Sequence, residues 1–137
     1  MQSTDRLISG SKSTAAQRQL VQFVEANPDI TLALITSSDG FEVATHPPVA
    51  MAQRIAAMSS SLQALSEAIA REAGRGRTRN LIIETDNGTI LVLGIPNTLP
   101  RMSLAVVASG SEILGRLLWA TRNCCVALEN DLKAQTS

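Results

Sequence analysis

The chain has few of the residues that most often carry chemistry or bind nucleic acid. Its 137 residues include one histidine, two cysteines, no tyrosine and only three other aromatic side chains, and its formal net charge is zero. Proteins that bind single strands stack bases on aromatic rings, and most nucleic-acid-binding domains present a basic face. We therefore predict no nucleic acid partner.

Cysteine and histidine are too scarce for a usual metal site or a thiol active site. Cys124 and Cys125 are adjacent, and neighbouring Cα atoms lie about 3.8 Å apart, closer than ordinary disulfide geometry allows. A structural zinc site usually takes four ligands, and a thiol nucleophile needs a base, for which His46 is the only histidine. We predict no catalytic residue, metal or cofactor, and interpret both cysteines as buried, reduced, small hydrophobic residues. A thiol enzyme that uses Cys125 is the alternative.

Membrane and export signals are absent as well. The chain begins without the basic start and apolar run of a signal peptide, and no segment approaches the roughly 20 apolar residues of a membrane helix. These features predict a cytoplasmic protein that does not insert directly into a membrane.

What the chain does contain is a globular composition. Hydrophobic residues make up 45% of it, with a mean hydropathy of +0.11, and its length suits one domain with a real core. Residues 1–13 are rich in serine and have no sustained period, which predicts a flexible N-terminal tail. We expect a single domain over residues 14–137.

The strongest periodic signal lies between Val49 and Ala73. Large apolar residues recur there in steps of three and four, which is the spacing of one helical face: Met51, Ile55, Met58, Leu62, Leu65 and Ile69. A second stripe of small residues runs beside it: Ala57, Ser61, Ala64 and Ala68. The opposite side of the helix is polar and is predicted to face water: Gln53, Ser60, Glu67 and Arg71. One stripe alone is explained by core packing within a monomer. Both together favour a long helix that contacts a sheet on one flank and a partner helix on the other.

The remaining elements follow from turn and capping signals. Thr14 with Gln17, and Ser109 with Glu112, match the capping box that opens a helix. Apolar runs separated by turn residues predict strands over 30–37, 41–45, 80–85, 89–95 and 102–108. The order is α-β-β-α-β-β-β-α, which predicts an α/β (α+β) fold with a five-stranded antiparallel sheet and helices on both faces.

Several of these segments resemble the roadblock/dynein light chain family. The resemblance is carried by ALITSSDGFEVA over 33–44 ahead of the striped helix, and by LIIET over 81–85, LVL over 91–93 and LAVVA over 104–108. It implies a roadblock/profilin-like fold, no enzymatic activity, and a dimer in which the long helices pair and the third strands meet edge to edge. The implied interface comprises the six large stripe residues with Leu81, Ile82 and Ile83. Bacterial members of the family are similar to regulators of Ras-like small GTPases, so the resemblance implies such a partner or a scaffolding role.

A basic connector follows the long helix. Arg75, Arg77 and Arg79 alternate with small residues, and these guanidinium groups are possible contacts to an acidic or phosphorylated partner. A solvated loop is the simpler interpretation. The resemblance supplies no arginine finger.

A sensing module of PAS-like or profilin-like topology is the alternative function. Such a module needs an internal pocket into which polar groups converge. The predicted core is small and aliphatic, with few buried polar candidates, so the pattern favours the dimeric regulator.

Overall fold

The computed structural model describes residues 10–110 and 113–133. Their elements have the predicted order. They are α1 (Gly10–Ala26), β1 (Ile30–Ser37), β2 (Glu42–His46), α2 (Ala52–Glu72), β3 (Asn80–Thr85), β4 (Gly88–Ile95), β5 (Met102–Ser109) and α3 (Leu114–Lys133).

One five-stranded sheet organises the chain. Its strand order is β2-β1-β5-β4-β3, and every neighbouring pair is antiparallel. The short turns Ser38–Phe41 and Asp86–Asn87 give the two predicted hairpins, while β5 enters between them and joins β1 to β4. β2 and β3 therefore form the two edges. The predicted fold class is confirmed.

Three predicted helix starts are wrong by several residues. α1 begins at Gly10 and not at Thr14, so the helix includes the last residues of the segment predicted as a tail; residues 1–9 lie outside the described part. α2 begins at Ala52, after a turn in which the Ala52 N–H donates to the Val49 carbonyl at 3.2 Å. Pro48 therefore lies before the helix.

The third error concerns the capping box proposed for the last helix. Ser109 is the final residue of β5, and its N–H donates to the Asp29 carbonyl at 2.7 Å. That bond ties β5 to the entry of β1, so Ser109 is unavailable as a helix cap. α3 begins at Leu114, and Glu112 lies outside the described residues.

Helices α1 and α3 cover one face of the sheet with the larger core. α1 contributes Leu20 and Phe23, and α3 contributes Leu117 and Leu128, all buried. They pack on the inward side chains of the strands, among them Ala33, Ile35, Leu91, Leu93, Leu104 and Val106. Alternation along each strand sends the next set of residues to the other face.

Helix α2 covers the other face with a much smaller core. The buried cluster on that side contains Leu32, Leu34, Ala56, Val92 and Ala105. α2 packs on β1, β2 and β5. The part of this face formed by β4 and β3 is left only partly covered: Leu81, Ile83 and Ile90 are half-buried.

Candidate interaction surface on the long helix

The sheet-facing side of α2 is built from small residues. Ala52, Ala56 and Ser59 are the buried positions of this helix. Their spacing of four and three places them on one line, and their short side chains bring the helix axis close to the strands. The Thr36 hydroxyl donates to the Ala56 carbonyl at 3.3 Å across this contact.

The predicted stripe of large residues lies on the flank of α2 and is mostly exposed. Its members differ in burial: the side chains of Ile55 and Leu62 are half-buried, whereas four others keep 49–63% of their surface accessible. These four are Met51, Met58, Leu65 and Ile69. Met51 is the N-cap residue and lies just outside the helix. The predicted second stripe, Ala57, Ser61, Ala64 and Ala68, is exposed too and lines no core.

The opposite flank of α2 is tethered to the β1–β2 turn. Gln53 Nε2 donates to the Gly40 carbonyl at 2.8 Å, and Ser60 Oγ donates to the Ser38 carbonyl at 2.7 Å. Gln53 is exposed, as predicted, and Ser60 is half-buried; both also form the polar attachment of the helix. Because they hold the flank nearest β2, the apolar stripe faces the uncovered β4–β3 half of the sheet.

Strand β3 extends this apolar surface to the edge of the sheet. Leu81 packs against the α2-side cluster, so Ile83 shares its face by alternation. Ile82 is paired with Leu91, which belongs to the α1/α3 core, so its side chain lies on the other face, 41% exposed. Two of the three strand residues predicted for the interface therefore lie on the α2 face of the sheet, and the third lies on the other face.

The basic connector joins α2 to β3. Gly74 and Gly76 adopt positive φ values of 68° and 84°, a region in which glycine is at ease, and all three predicted arginines are exposed. Arg77 and Arg79 line a cleft beneath the C-terminal half of α2, whereas Arg75 does not. Arg77 and Arg79 therefore belong to the cleft, and Arg75 lies outside it.

That cleft was not predicted from the sequence. It has a volume of about 480 Å³, and polar side chains of α2 form one wall: Gln63, Ser66 and Glu67. Glu67 had been placed on the solvent side of the helix. Its Oε1 accepts from the Thr78 N–H at 3.2 Å, and its Oε2 lies 3.8 Å from Arg101 Nη2. Ser103, on the floor of an adjoining pocket, donates to Gln63 Oε1.

The two cysteines are free thiols buried in the α1/α3 core. Burial raises the pKa of each thiol to about 12, and the neighbouring Cys125 adds to the effect at Cys124. A thiol with so high a pKa is a poor nucleophile at neutral pH. The interpretation as small hydrophobic residues is confirmed by their burial.

Neither a metal-binding group nor a membrane-spanning helix occurs among the described residues. Within residues 10–110 and 113–133, no three His, Cys, Asp or Glu side chains are grouped so that they could share a metal ion. No helix of that part of the chain is long and apolar enough to cross a bilayer.

An exposed apolar stripe on α2 and an open strand edge at β3 are features through which proteins commonly bind other proteins. The sequence model of the Roadblock/LC7 domain family matches residues 16–108, about two thirds of the chain. The protein belongs to this family. Members of the family are regulatory or adaptor proteins and not enzymes.

Solved structures support the same fold. The Roadblock/LC7 domain from Streptomyces avermitilis is 22% identical, with a TM-score of 0.77 over 85% of this chain and 97% of that one. The gliding protein MglB from Thermus thermophilus is 16% identical, with a TM-score of 0.80 over 93% and 96% of the two chains. Profilin IA from Acanthamoeba castellanii is 16% identical, with a TM-score of 0.62 over 83% and 96%. No curated protein matches the sequence significantly.

Proposed function

We propose that this chain is a non-enzymatic, homodimeric regulatory or scaffolding protein that acts in the cytoplasm on a Ras-like small GTPase. The observation that carries the proposal is the exposed apolar stripe of α2 beside the uncovered edge strand β3. A monomeric domain rarely leaves large apolar side chains in one contiguous patch without a partner.

A second copy of the chain is the occupant that suits this surface. β3 is an edge strand with unpaired backbone groups along one side, and an edge that stays open invites pairing with another strand. Antiparallel pairing of two β3 edges would give one ten-stranded sheet and bring both α2 stripes together across its face. The contact is isologous, so one patch serves both copies.

The energetics favour a contact that uses both elements. Burying the exposed parts of four large side chains on each copy contributes on the order of 10 kcal/mol before costs. Association costs roughly 4–15 kcal/mol in lost freedom. Helix pairing alone is therefore marginal, and the β3 hydrogen bonds complete the interface.

The GTPase assignment rests on membership of the family and on the resemblance to bacterial regulators of Ras-like GTPases. In the dimer, we assign the contact with the GTPase to Arg75, Arg77 and Arg79, whose guanidinium groups suit carboxylates and phosphates. The arginines act through binding, since no catalytic position is matched to any of them.

A direct binding measurement tests the partner. Purified Ras-like GTPases encoded by the source genome are loaded with GDP or a non-hydrolysable GTP analogue and titrated into the protein by calorimetry. We expect one of them to bind with an affinity that depends on its nucleotide. Changing the three connector arginines to glutamate should weaken binding about tenfold or more, because each lost charged contact is worth roughly 1.5–3 kcal/mol.

The control for charge is Arg116→Glu on α3, an exposed arginine of the opposite face. It should change the affinity less than twofold. If no GTPase binds in either nucleotide state, the partner assignment is wrong and the dimer proposal is unaffected.

A further inference from the structure

The cleft under the C-terminal half of α2 has a lining that folding alone does not account for. The buried line Ala52, Ala56 and Ser59 continues along the same side of the helix to Gln63 and Ser66. The core-facing side thus changes from small and mostly apolar to polar halfway along α2. In place of an apolar contact with β4 and β5, the structure has a cavity of about 480 Å³. Positions where local packing rules fail are those expected at functional sites.

The floor of the cleft carries a glycine inside a regular strand. Gly94 pairs with Ser103 in an unbroken β4–β5 register, so no bulge explains it. A Cβ at this position would lie 3.6 Å from Arg101 Nη2 and 3.8 Å from its Nε. Glycine in a strand interior weakens the strand and often marks the close approach of a ligand. Here the Arg101 guanidinium lies over the glycine at van der Waals distance from where a Cβ would be, so a side chain larger than alanine would displace it.

The charges of the lining favour an anion. Arg77, Arg79 and Arg101 supply three positive charges, and Glu67 supplies one negative charge. Glu67 Oε2 lies 3.8 Å from Arg101 Nη2. This ion pair orients the guanidinium group and leaves most of its five N–H donors for a ligand. Planar donors of this kind bind carboxylate and phosphate groups in a bidentate way. Leu81 and Val92 add an apolar wall on the side of β3 and β4.

We propose that this cleft binds a small oxyanion ligand, a carboxylate or a phosphate carried on a small body, held by Arg101 and Arg79 above Gly94. The ligand enters through the half-open side between the connector and the β4–β5 loop. The site goes beyond the proposed function because neither a dimer nor a GTPase is needed to form it. It gives the protein a means of sensing a metabolite.

Calorimetric titration of the protein with inorganic pyrophosphate and, separately, with succinate tests the proposal at low ionic strength. We expect saturable binding with one site per chain. Binding of pyrophosphate alone assigns a phosphate ligand, and binding of succinate alone assigns a carboxylate. Arg101→Gln should weaken binding about tenfold, because one charged contact is lost. Arg75→Gln, in the same connector but outside the cleft, should change it less than twofold.

Gly94→Val separates binding from folding. Valine favours strands, so the variant should unfold at the same temperature as the wild type or higher, while its side chain occupies the floor and abolishes binding. The proposal is overturned if neither anion binds below about 10 mM, if Arg75→Gln weakens binding as much as Arg101→Gln, or if Gly94→Val binds like the wild type. These measurements use the chain without any GTPase, so their failure leaves the GTPase proposal standing.

Discussion

The helices on the two faces of the sheet differ in where their large side chains point. On one face they point toward the sheet, and on the other they point away from it. Among the described residues, nineteen buried side chains form the cluster under α1 and α3, against five under α2. α1 and α3 turn large residues such as Leu20 and Leu128 inward, whereas α2 turns alanine and serine inward and Leu65 outward. One face is therefore completed within the chain, and the other is covered only in part. The large residues of α2 thus point away from the sheet, and the helix meets its own sheet through Ala52, Ala56 and Ser59.

Truncating one leucine on each face should give the largest difference. Leu128→Ala removes a fully buried side chain and should lower the free energy of unfolding by about 2–5 kcal/mol. Leu65→Ala removes one that is 58% exposed in the protomer and should cost less than about 0.5 kcal/mol where the protein is monomeric. Urea unfolding at low protein concentration measures both. Equal losses would contradict the contrast between the faces.

Alkaline pH should weaken the α1/α3 face through its thiols. The folded pKa of Cys124 and Cys125 is about 12, above the ordinary value of 9.0. Between these values the unfolded chain has released protons that the folded chain retains, so the free energy of unfolding falls as pH rises. The slope is about 1.4 kcal/mol per pH unit for each thiol. Below pH 9 the effect is absent.

Thermal or urea unfolding between pH 8 and 11 measures this loss. The chain has no tyrosine and only two lysines, so few other groups titrate in the range. The double variant Cys124→Ala and Cys125→Ala should show a much flatter profile. An identical slope in the double variant would mean that the thiols are not responsible.

Replacing glycines near the two ends of α2 should have a smaller effect on the free energy of unfolding. Gly40 has a φ of 90°, and a Cβ there would lie 3.5 Å from the Ala57 backbone, whereas a Cβ at Gly74, with a φ of 68°, meets nothing within 4 Å. A contact at 3.5 Å is an ordinary van der Waals distance, so both Gly40→Ala and Gly74→Ala should cost about 1–2 kcal/mol through the strain of a positive φ. Urea unfolding of the two variants measures these losses. A Gly40→Ala variant much less stable than Gly74→Ala would show that α2 is held too closely at this turn to admit a methyl group.

Much of the fold was predictable because its signals are local. Hairpin turns such as Asp86–Gly88 set the direction of neighbouring strands, and the period of α2 identified a long helix with exposed and buried sides. Helix starts were less predictable. Ser109 is a residue type that often caps helices, but its N–H donates to the carbonyl of Asp29, eighty positions away in the sequence, and holds it in β5. A contact of that range leaves no mark on the local pattern.

The candidate sites were predictable only in part for the same reason. The α2 stripe and the connector arginines each lie within one stretch of the sequence, so they could be predicted as candidate contacts, and they remain predictions. The cleft combines Glu67, Gly94 and Arg101 from three elements, and periodicity assigned Glu67 to solvent because it lies at the margin of the inward side. The period of the stripe alone did not predict that Met58 and Leu65 are exposed, since a core stripe and an interface stripe have the same period; that expectation came from the second stripe and the family resemblance.

The solution mass of two matched variants tests the central claim most directly. Leu65→Asp on α2 and Val126→Asp on α3 both place a charge at an exposed aliphatic position, 58% and 55% accessible in the protomer. Light scattering of the wild type should give about 29 kDa, twice the 14.5 kDa of one chain. We expect Leu65→Asp to give a folded monomer and Val126→Asp to remain a dimer. A wild-type monomer, or a dimer that survives Leu65→Asp, would contradict the account.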